Sequence, residues 1–329
     1  MKSTTRFAIP PLFRCCLALF FLLGVQGCSE SFTLVAGGGS EPAPLESLEV
    51  GAAGKYRIAS WNVRNLFDPV DDSYGDEVLQ NSEYEEKLQA LVAVMEQVDA
   101  DFWGLQEVEN LACLEDLNER LSHPYPLLGL IEGNDHSRGI DVAFLSRLPV
   151  SEVVSHRERD LPDHPEVSKN YSFSRDCLEV RLESRPPVTL LVNHLKSSMG
   201  NAKRSAAKRR VQAEAIAEIV SEVDQPPQRV VVVLGDFNDR PDSWSLEPLF
   251  EKLEDPFASL GAKQRITHRY RGGGGALDHI LTDGEGNSVV SDARVWKGIA
   301  KKTSDHDPVS VELTLSLPVV APSERTWTE

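Results

Sequence analysis

Six junctions between apolar runs and polar loops in this chain carry side chains able to do chemistry. Asn62 follows Ile58-Ala59-Ser60-Trp61, Glu107 follows Phe102 to Leu105, and His194 follows Val188 to Val192. Asp236 and Asn238 follow Val230-Val231-Val232-Val233-Leu234-Gly235, Asp278 precedes Ile280-Leu281, and Asp305 with His306 precedes Val309. No cysteine stands among them. Hard oxygen donors with several carboxylates suit Mg²⁺, Mn²⁺ or Ca²⁺, whereas zinc more usually recruits cysteine or several histidines. Two imidazoles that can move protons near neutral pH complete a hydrolytic set. Taken singly, each residue has a plainer reading: a strand-end hydrogen bonder, a turn aspartate before Pro308, a satisfied buried histidine. Six such coincidences in one chain favour catalysis.

The elements that must position these groups read as one α/β domain over residues 55–318. The unbroken β-branched run at Val230 predicts a strand buried on both faces, and such strands present their chemistry at their carboxyl ends. Further strands are expected at Lys55–Trp61, Phe102–Leu105, Ile140–Leu145 and Ala293–Trp296, with a closing strand at Val309–Leu317. Cys177–Leu182 and Val188–Val192 read as a hairpin pair across Arg185-Pro186-Pro187. Apolar spacing in Glu83–Val98 and Val211–Val220 predicts amphipathic helices, with a shorter helix around Leu111–Leu121. Gly272–Gly275 reads as a mobile hinge or loop tip.

Six motifs occur in a recognisable order: Ser60-Trp61-Asn62, Gln106-Glu107-Val108, Asn193-His194, Gly235-Asp236-Phe237-Asn238, Leu277-Asp278-His279 and Ser304-Asp305-His306-Asp307-Pro308. In these the body resembles the endonuclease/exonuclease/phosphatase superfamily. The resemblance implies a four-layer α-β-β-α sandwich of two packed mixed sheets with outer helices. It also implies metal-assisted attack of water on a phosphoester. Carried over by position, Glu107 is the principal metal carboxylate with Asn62 and Asp305 close to the ion. His306, oriented by Asp278, is the general base or the group on the scissile phosphate. Asp236 and Asn238 position or activate the water, and His194 is a general acid for the leaving oxygen. Asn193 belongs to the substrate-binding set, and Asp141 could orient His194. Phe173-Ser174-Arg175-Asp176 resembles a segment in which arginine meets substrate phosphate; the alternative for Arg175 is an ion pair with Asp176 or Glu179.

The N-terminus reads as a targeting segment. Lys2, Arg6 and Arg14 flank the apolar stretch Cys15–Val25, which is shorter than a membrane-spanning helix requires. Val25-Gln26-Gly27-Cys28 resembles a bacterial lipoprotein signal, which makes residues 1–27 the signal and Cys28 an acylated N-terminus in the cell envelope. An ordinary cleaved signal is the alternative. Residues 28–54 read as a flexible linker and 319–329 as a disordered tail. Cys113 and Cys177 could pair or serve as small buried hydrophobes.

A formal net charge of −17 on 329 residues argues against wholesale adhesion to nucleic acid or anionic membranes, yet allows a local basic groove. The cationic run Lys203 to Arg210 is one place for such a groove, with a solvated helix face as the alternative. The expected activity is an Mg²⁺- or Mn²⁺-dependent phosphodiesterase, endonuclease-like, acting as a monomer on nucleic acid. A sphingomyelinase or other small phosphoester hydrolase is the second expectation, with Trp244 as a lipid-docking aromatic. A non-catalytic surface lipoprotein is the third.

Overall fold

The computed structural model describes residues 6–8, 51–71, 77–223, 229–270, 273–284 and 289–318. The lipidation position Cys28, nearly all of the expected signal and linker, and the C-terminal tail lie outside these residues. Among these residues the chain forms fourteen strands and four helices, in the order β1 (Arg6–Ala8), β2 (Gly54–Leu66), α1 (Asn81–Val98), β3 (Phe102–Val108), α2 (Leu111–Glu119), β4 (Leu127–Leu130), β5 (Asp141–Ser146), β6 (Val150–Ser155), β7 (Leu178–Leu182), β8 (Val188–His194), α3 (Ala202–Val223), β9 (Val230–Asp236), α4 (Glu247–Phe250), β10 (His268–Tyr270), β11 (Gly273–Gly275), β12 (Asp278–Thr282), β13 (Val290–Val295) and β14 (Val309–Leu315).

Two six-stranded mixed sheets pack face to face, ordered β1-β6-β7-β8-β9-β12 and β13-β14-β2-β3-β5-β4. Alternation along each strand sorts the apolar side chains into layers. Ile58, Phe102, Val142 and Phe144 of one sheet meet Val192, Val232, Leu234 and Ile280 of the other. On the outer face of the second sheet, Trp61, Trp103 and Leu145 pack under Leu88, Leu91 and Met95 of α1 and Leu114 and Leu117 of α2. Leu191, Val231 and Val233 pack under Ile216 and Ile219 of α3 on the other side. The result is the four-layer sandwich the motifs implied. The sheets approach so closely at Gly104 that a Cβ there would sit 3.1 Å from both Leu234 and Val192.

Some expectations need correction. Helix α3 begins at Ala202, so the cationic run is its first turns rather than a free track. Arg209 is buried and bridges to Asp239, Arg210 pairs with Glu214 and Glu247, and Lys203 pairs with Glu166. Gly273–Gly275 is not a loose tip but a strand paired with β10, since chain pairing needs only backbone groups. Cys113 and Cys177 are free thiols buried in opposite outer layers, which excludes their pairing. Three residues of the segment set aside as a signal, Arg6–Ala8, pair with the edge strand β6. Among the described residues no helix is long and apolar enough to cross a membrane.

Candidate active site

Strand register delivers the site. β8 and β9 run parallel with His194 opposite Asp236, and β9 and β12 run antiparallel with Asp278 also opposite Asp236. Three neighbouring strands therefore present His194, Asp236 and Asp278 at one level. Gly235 makes the approach feasible: its φ is +145°, and a Cβ there would fall 1.9 Å from the Asn193 carbonyl oxygen.

The facing sheet supplies the other half. Glu107 adopts φ +65° where the pairing of β3 slips between Gln106 and Val108 against β5. A bulge of this kind re-aims a side chain, and left-handed backbone at a non-glycine residue clusters at functional sites. Glu107 Oε1 accepts from Asn62 Nδ2 at 3.1 Å, and its Oε2 accepts from the backbone N–H of Asn65 at 3.0 Å. Asn62 Nδ2 also donates to Asp236 Oδ2 at 2.9 Å, holding carboxylates of both sheets side by side. Its Oδ1 is taken by the Arg64 N–H, so in this arrangement Asn62 braces the carboxylates rather than offering them its oxygen.

Both histidines converge on one oxygen. His194 Nε2 lies 3.7 Å and His306 Nε2 3.9 Å from Asp236 Oδ2, and His194 Nε2 is 4.0 Å from Glu107 Oε1. Their charge states are pushed apart. Burial, reinforced by Arg175 and His306, holds the His194 pKa well below the usual imidazole value. For His306 burial acts the same way but is outweighed by the Asp278 and Asp236 carboxylates, which raise it to about 10. Burial raises Asp236 to about 6 despite the His306 charge. At pH 7 the pocket therefore holds a neutral His194, an imidazolium at His306 and an Asp236 carboxylate close to its titration point.

The His306 loop is tied to the rest of the site. Ser304 Oγ donates to the Asn62 carbonyl at 2.8 Å, and Trp61 Nε1 donates to the His306 carbonyl at 3.1 Å. Asp305 is half-exposed, 3.8 Å from Arg64 Nε and 3.6 Å from His268 Nε2. Burial acts against its charge, but the His268 hydrogen bond and the His306 and Arg64 charges prevail and lower it to about 2. Asn238, at φ +56°, donates its backbone N–H to Asp236 Oδ1 and its Nδ2 to the Leu195 carbonyl, so it orients the Asp236 carboxylate.

Three assignments change. Asp141 does not orient His194: its Oδ1 accepts from the Gly133 N–H at 2.7 Å, and His194 Nδ1 has no partner among the described residues. Asn193 is fully buried and donates to the Leu191 carbonyl; strand alternation turns it away from the face that carries His194, and hence away from substrate. Arg175 pairs with neither Asp176 nor Glu179 but with Asp135, at 2.9 Å, because His156 takes up both of those acids. Arg175 is buried, and its Nε and Nη1 have no partner among the described residues.

Other contributors went unread in the sequence. Lys87 of α1 donates to the carbonyls of Val63 (2.7 Å), Arg64 (2.9 Å) and Thr303 (2.6 Å), clamping the Asn62 and His306 loops together. The His268 ring lies against that of His306, tilted by 46°. Arg138 donates to Asn65 Oδ1 at 2.9 Å. Lys87 falls on a polar helix stripe that looks merely solvated, and Asn65 stands three residues beyond the motif that ends at Asn62.

The donor set suits a hard divalent ion. His268, Asp305 and His306 bring ligand atoms within 4.8 Å of one another, as do Asp236, Asp278 and His306, and Glu107 adds a carboxylate beside them. The first group holds two imidazoles and one carboxylate and the second the reverse; with Glu107 the carboxylates number four, and no thiol lies in either group.

Residues 59–306 match the family model described as Endonuclease/Exonuclease/phosphatase family. The chain belongs to that family. Its fold is shared by a truncated TDP2 of Caenorhabditis elegans, at 18% identity and a TM-score of 0.55, covering 79% of this chain and 98% of that one. SmcL gives 17% identity and the same TM-score over 79% of this chain and 99% of its own. An endonuclease/exonuclease/phosphatase family protein of Bacteroides thetaiotaomicron gives 18% and 0.54, over 82% of this chain and all of that one. Among curated proteins, none matches the chain significantly.

Proposed function

We propose that this chain is a divalent-metal-dependent phosphodiesterase, endonuclease-like, that hydrolyses phosphodiester bonds by direct attack of water. The carrying observation is the meeting of His194 Nε2 and His306 Nε2 on one oxygen of Asp236. Asp236, poised near neutrality, takes the proton of the attacking water. The His306 imidazolium, fixed by Asp278, stabilises charge on a non-bridging phosphoryl oxygen. Neutral His194 offers an Nε2–H hydrogen bond to the departing oxygen, which takes up the proton that Asp236 accepted from the water. The unpartnered nitrogens of Arg175 offer the planar donor fork that suits phosphate. Glu107, with Asp305, would hold the divalent ion, whose contribution would be to polarise the phosphoryl group.

The test is a substrate panel of plasmid DNA, RNA, bis-p-nitrophenyl phosphate, a phosphoinositide and sphingomyelin, each with Mg²⁺ or Mn²⁺. Cleavage of DNA or RNA that EDTA abolishes is expected. Hydrolysis of sphingomyelin with none of nucleic acid would transfer the assignment to lipid, where the exposed Trp244 would be the docking side chain. No hydrolysis of any member would end the catalytic assignment.

An acylated Cys28 would tether the domain to the envelope through the spacer before Gly54. Labelling with a radioactive or alkyne fatty acid should reach the full chain and be lost in Cys28→Ala; equal labelling of both would remove the tether from the proposal.

A further inference from the structure

Strand β10 brings two more rings up to the catalytic histidine. His268 and Tyr270 lie two residues apart and share one strand face, while Arg269 between them turns away to pair with Asp307. The His268 ring centroid is 4.6 Å from that of His306 and 6.5 Å from that of Tyr270, and the His268 and Tyr270 planes differ by only 13°. A row of rings thus leads from buried His306 to the surface, where Tyr270 is 61% exposed.

The row is anchored to the catalytic loop. Arg269 N–H donates to the Asp305 carbonyl at 3.1 Å, and Asp307 N–H donates to the Thr267 carbonyl at 2.7 Å. Thr267 Oγ1 in turn accepts from the backbone N–H groups of Leu277 and Asp278. Tyr270 is therefore held in fixed relation to the groups that would grip the phosphate.

An exposed aromatic face at the mouth of a phosphate pocket suits a planar ring joined to that phosphate. Stacking of a nucleobase on such a side chain is sequence-tolerant and changes affinity by roughly fivefold to a hundredfold. An acyl chain offers no flat partner for such a ring. We infer that Tyr270, backed by His268, is a docking face for the base of a nucleotide flanking the scissile phosphate. The site then favours nucleotidyl over aliphatic phosphodiesters. This inference rests on the phosphodiesterase reading above.

The full chain should be assayed on a dithymidine dinucleotide and on its abasic counterpart, with Tyr270→Ala and Tyr270→Phe. The preference in kcat/KM for the base-bearing substrate should fall about tenfold in Tyr270→Ala and persist in Tyr270→Phe. An unchanged preference, or an equal loss on both substrates, would overturn the docking face. So would a loss confined to sphingomyelin vesicles, which would assign the face to lipid. If neither dinucleotide is cleaved, the phosphodiesterase reading fails separately. Calorimetric titration with thymidine monophosphate against deoxyribose phosphate then decides: a gap closed by Tyr270→Ala supports the docking face, and equal affinities in the native chain remove it.

Discussion

His306 Nδ1 donates to Asp278 Oδ2 at 2.8 Å, with Oδ1 at 3.1 Å, joining the start of β12 to the loop before β14. Both residues are buried, so the carboxylate sets the ring's orientation and its charge together.

Asp278→Asn keeps an oxygen acceptor in place and removes the charge. The His306 pKa should then fall from about 10, and turnover should drop by roughly 10²- to 10⁴-fold. Because the folded pKa lies above the unfolded value, the imidazolium stabilises the fold fully below about pH 6.5 and loses that effect as pH rises through about 10. The variant should therefore be less stable than the native chain by about 3 kcal/mol at pH 6, with the gap closing above pH 10. Denaturant titrations at both pH values, and ring NMR of His306, check this.

Asp141 gives the opposite pH signature. Burial, against the Gly133 N–H bond, raises its pKa to about 7. A carboxyl raised above its unfolded value is favourable while protonated, and the fold loses stability as pH climbs from about 4 to about 7. Asp141→Asn should gain stability relative to the native chain between pH 4 and pH 8, by up to a few kcal/mol. Turnover should remain within about threefold, since His194 takes no bond from it. A pH-independent difference in melting temperature would contradict the assignment.

Lys87→Met should cost about 2 kcal/mol, as three carbonyls lose one shared donor. The decisive reading is local: amide hydrogen exchange should quicken at Asn65 and Asp305 well before global unfolding, and kcat should fall further than KM rises. Uniform exchange throughout the chain would reduce Lys87 to ordinary surface packing.

Gly235→Ala should prevent a soluble native state or lower stability by more than about 4 kcal/mol, because both the backbone angle and the Asn193 carbonyl forbid a Cβ. A near-native melting temperature would show that β8 and β9 can separate at that point without loss.

The sandwich and the convergence of Asn62, Glu107, His194, Asp236, Asp278 and His306 were legible because each stands beside a strongly apolar strand, whose buried path admits few alternatives. His268 was not, since β10 is three residues long and its partner is a glycine run with no side chains to betray a strand. Lys87 sits on a helix face rich in glutamate, where nothing local distinguishes a clamp from a solvated cation. The ion-pair alternative for Arg175 named acids close in sequence, whereas its partner Asp135 comes from a loop forty residues earlier. The left-handed backbone at Glu107 arises from tertiary pairing on both sides of β3 and leaves no trace in residue type.

With His194, Asp236 and Asp278 on a single rung of the sheet, length changes become the least tolerated form of divergence. Deleting one residue inside β9 would rotate Asp236 toward α3 and bring Phe237 onto its rung, however conservative the remaining sequence. Swapping whole loops between relatives leaves that rung untouched, so new specificities on this scaffold are most accessible by loop exchange, with the strands kept at constant length.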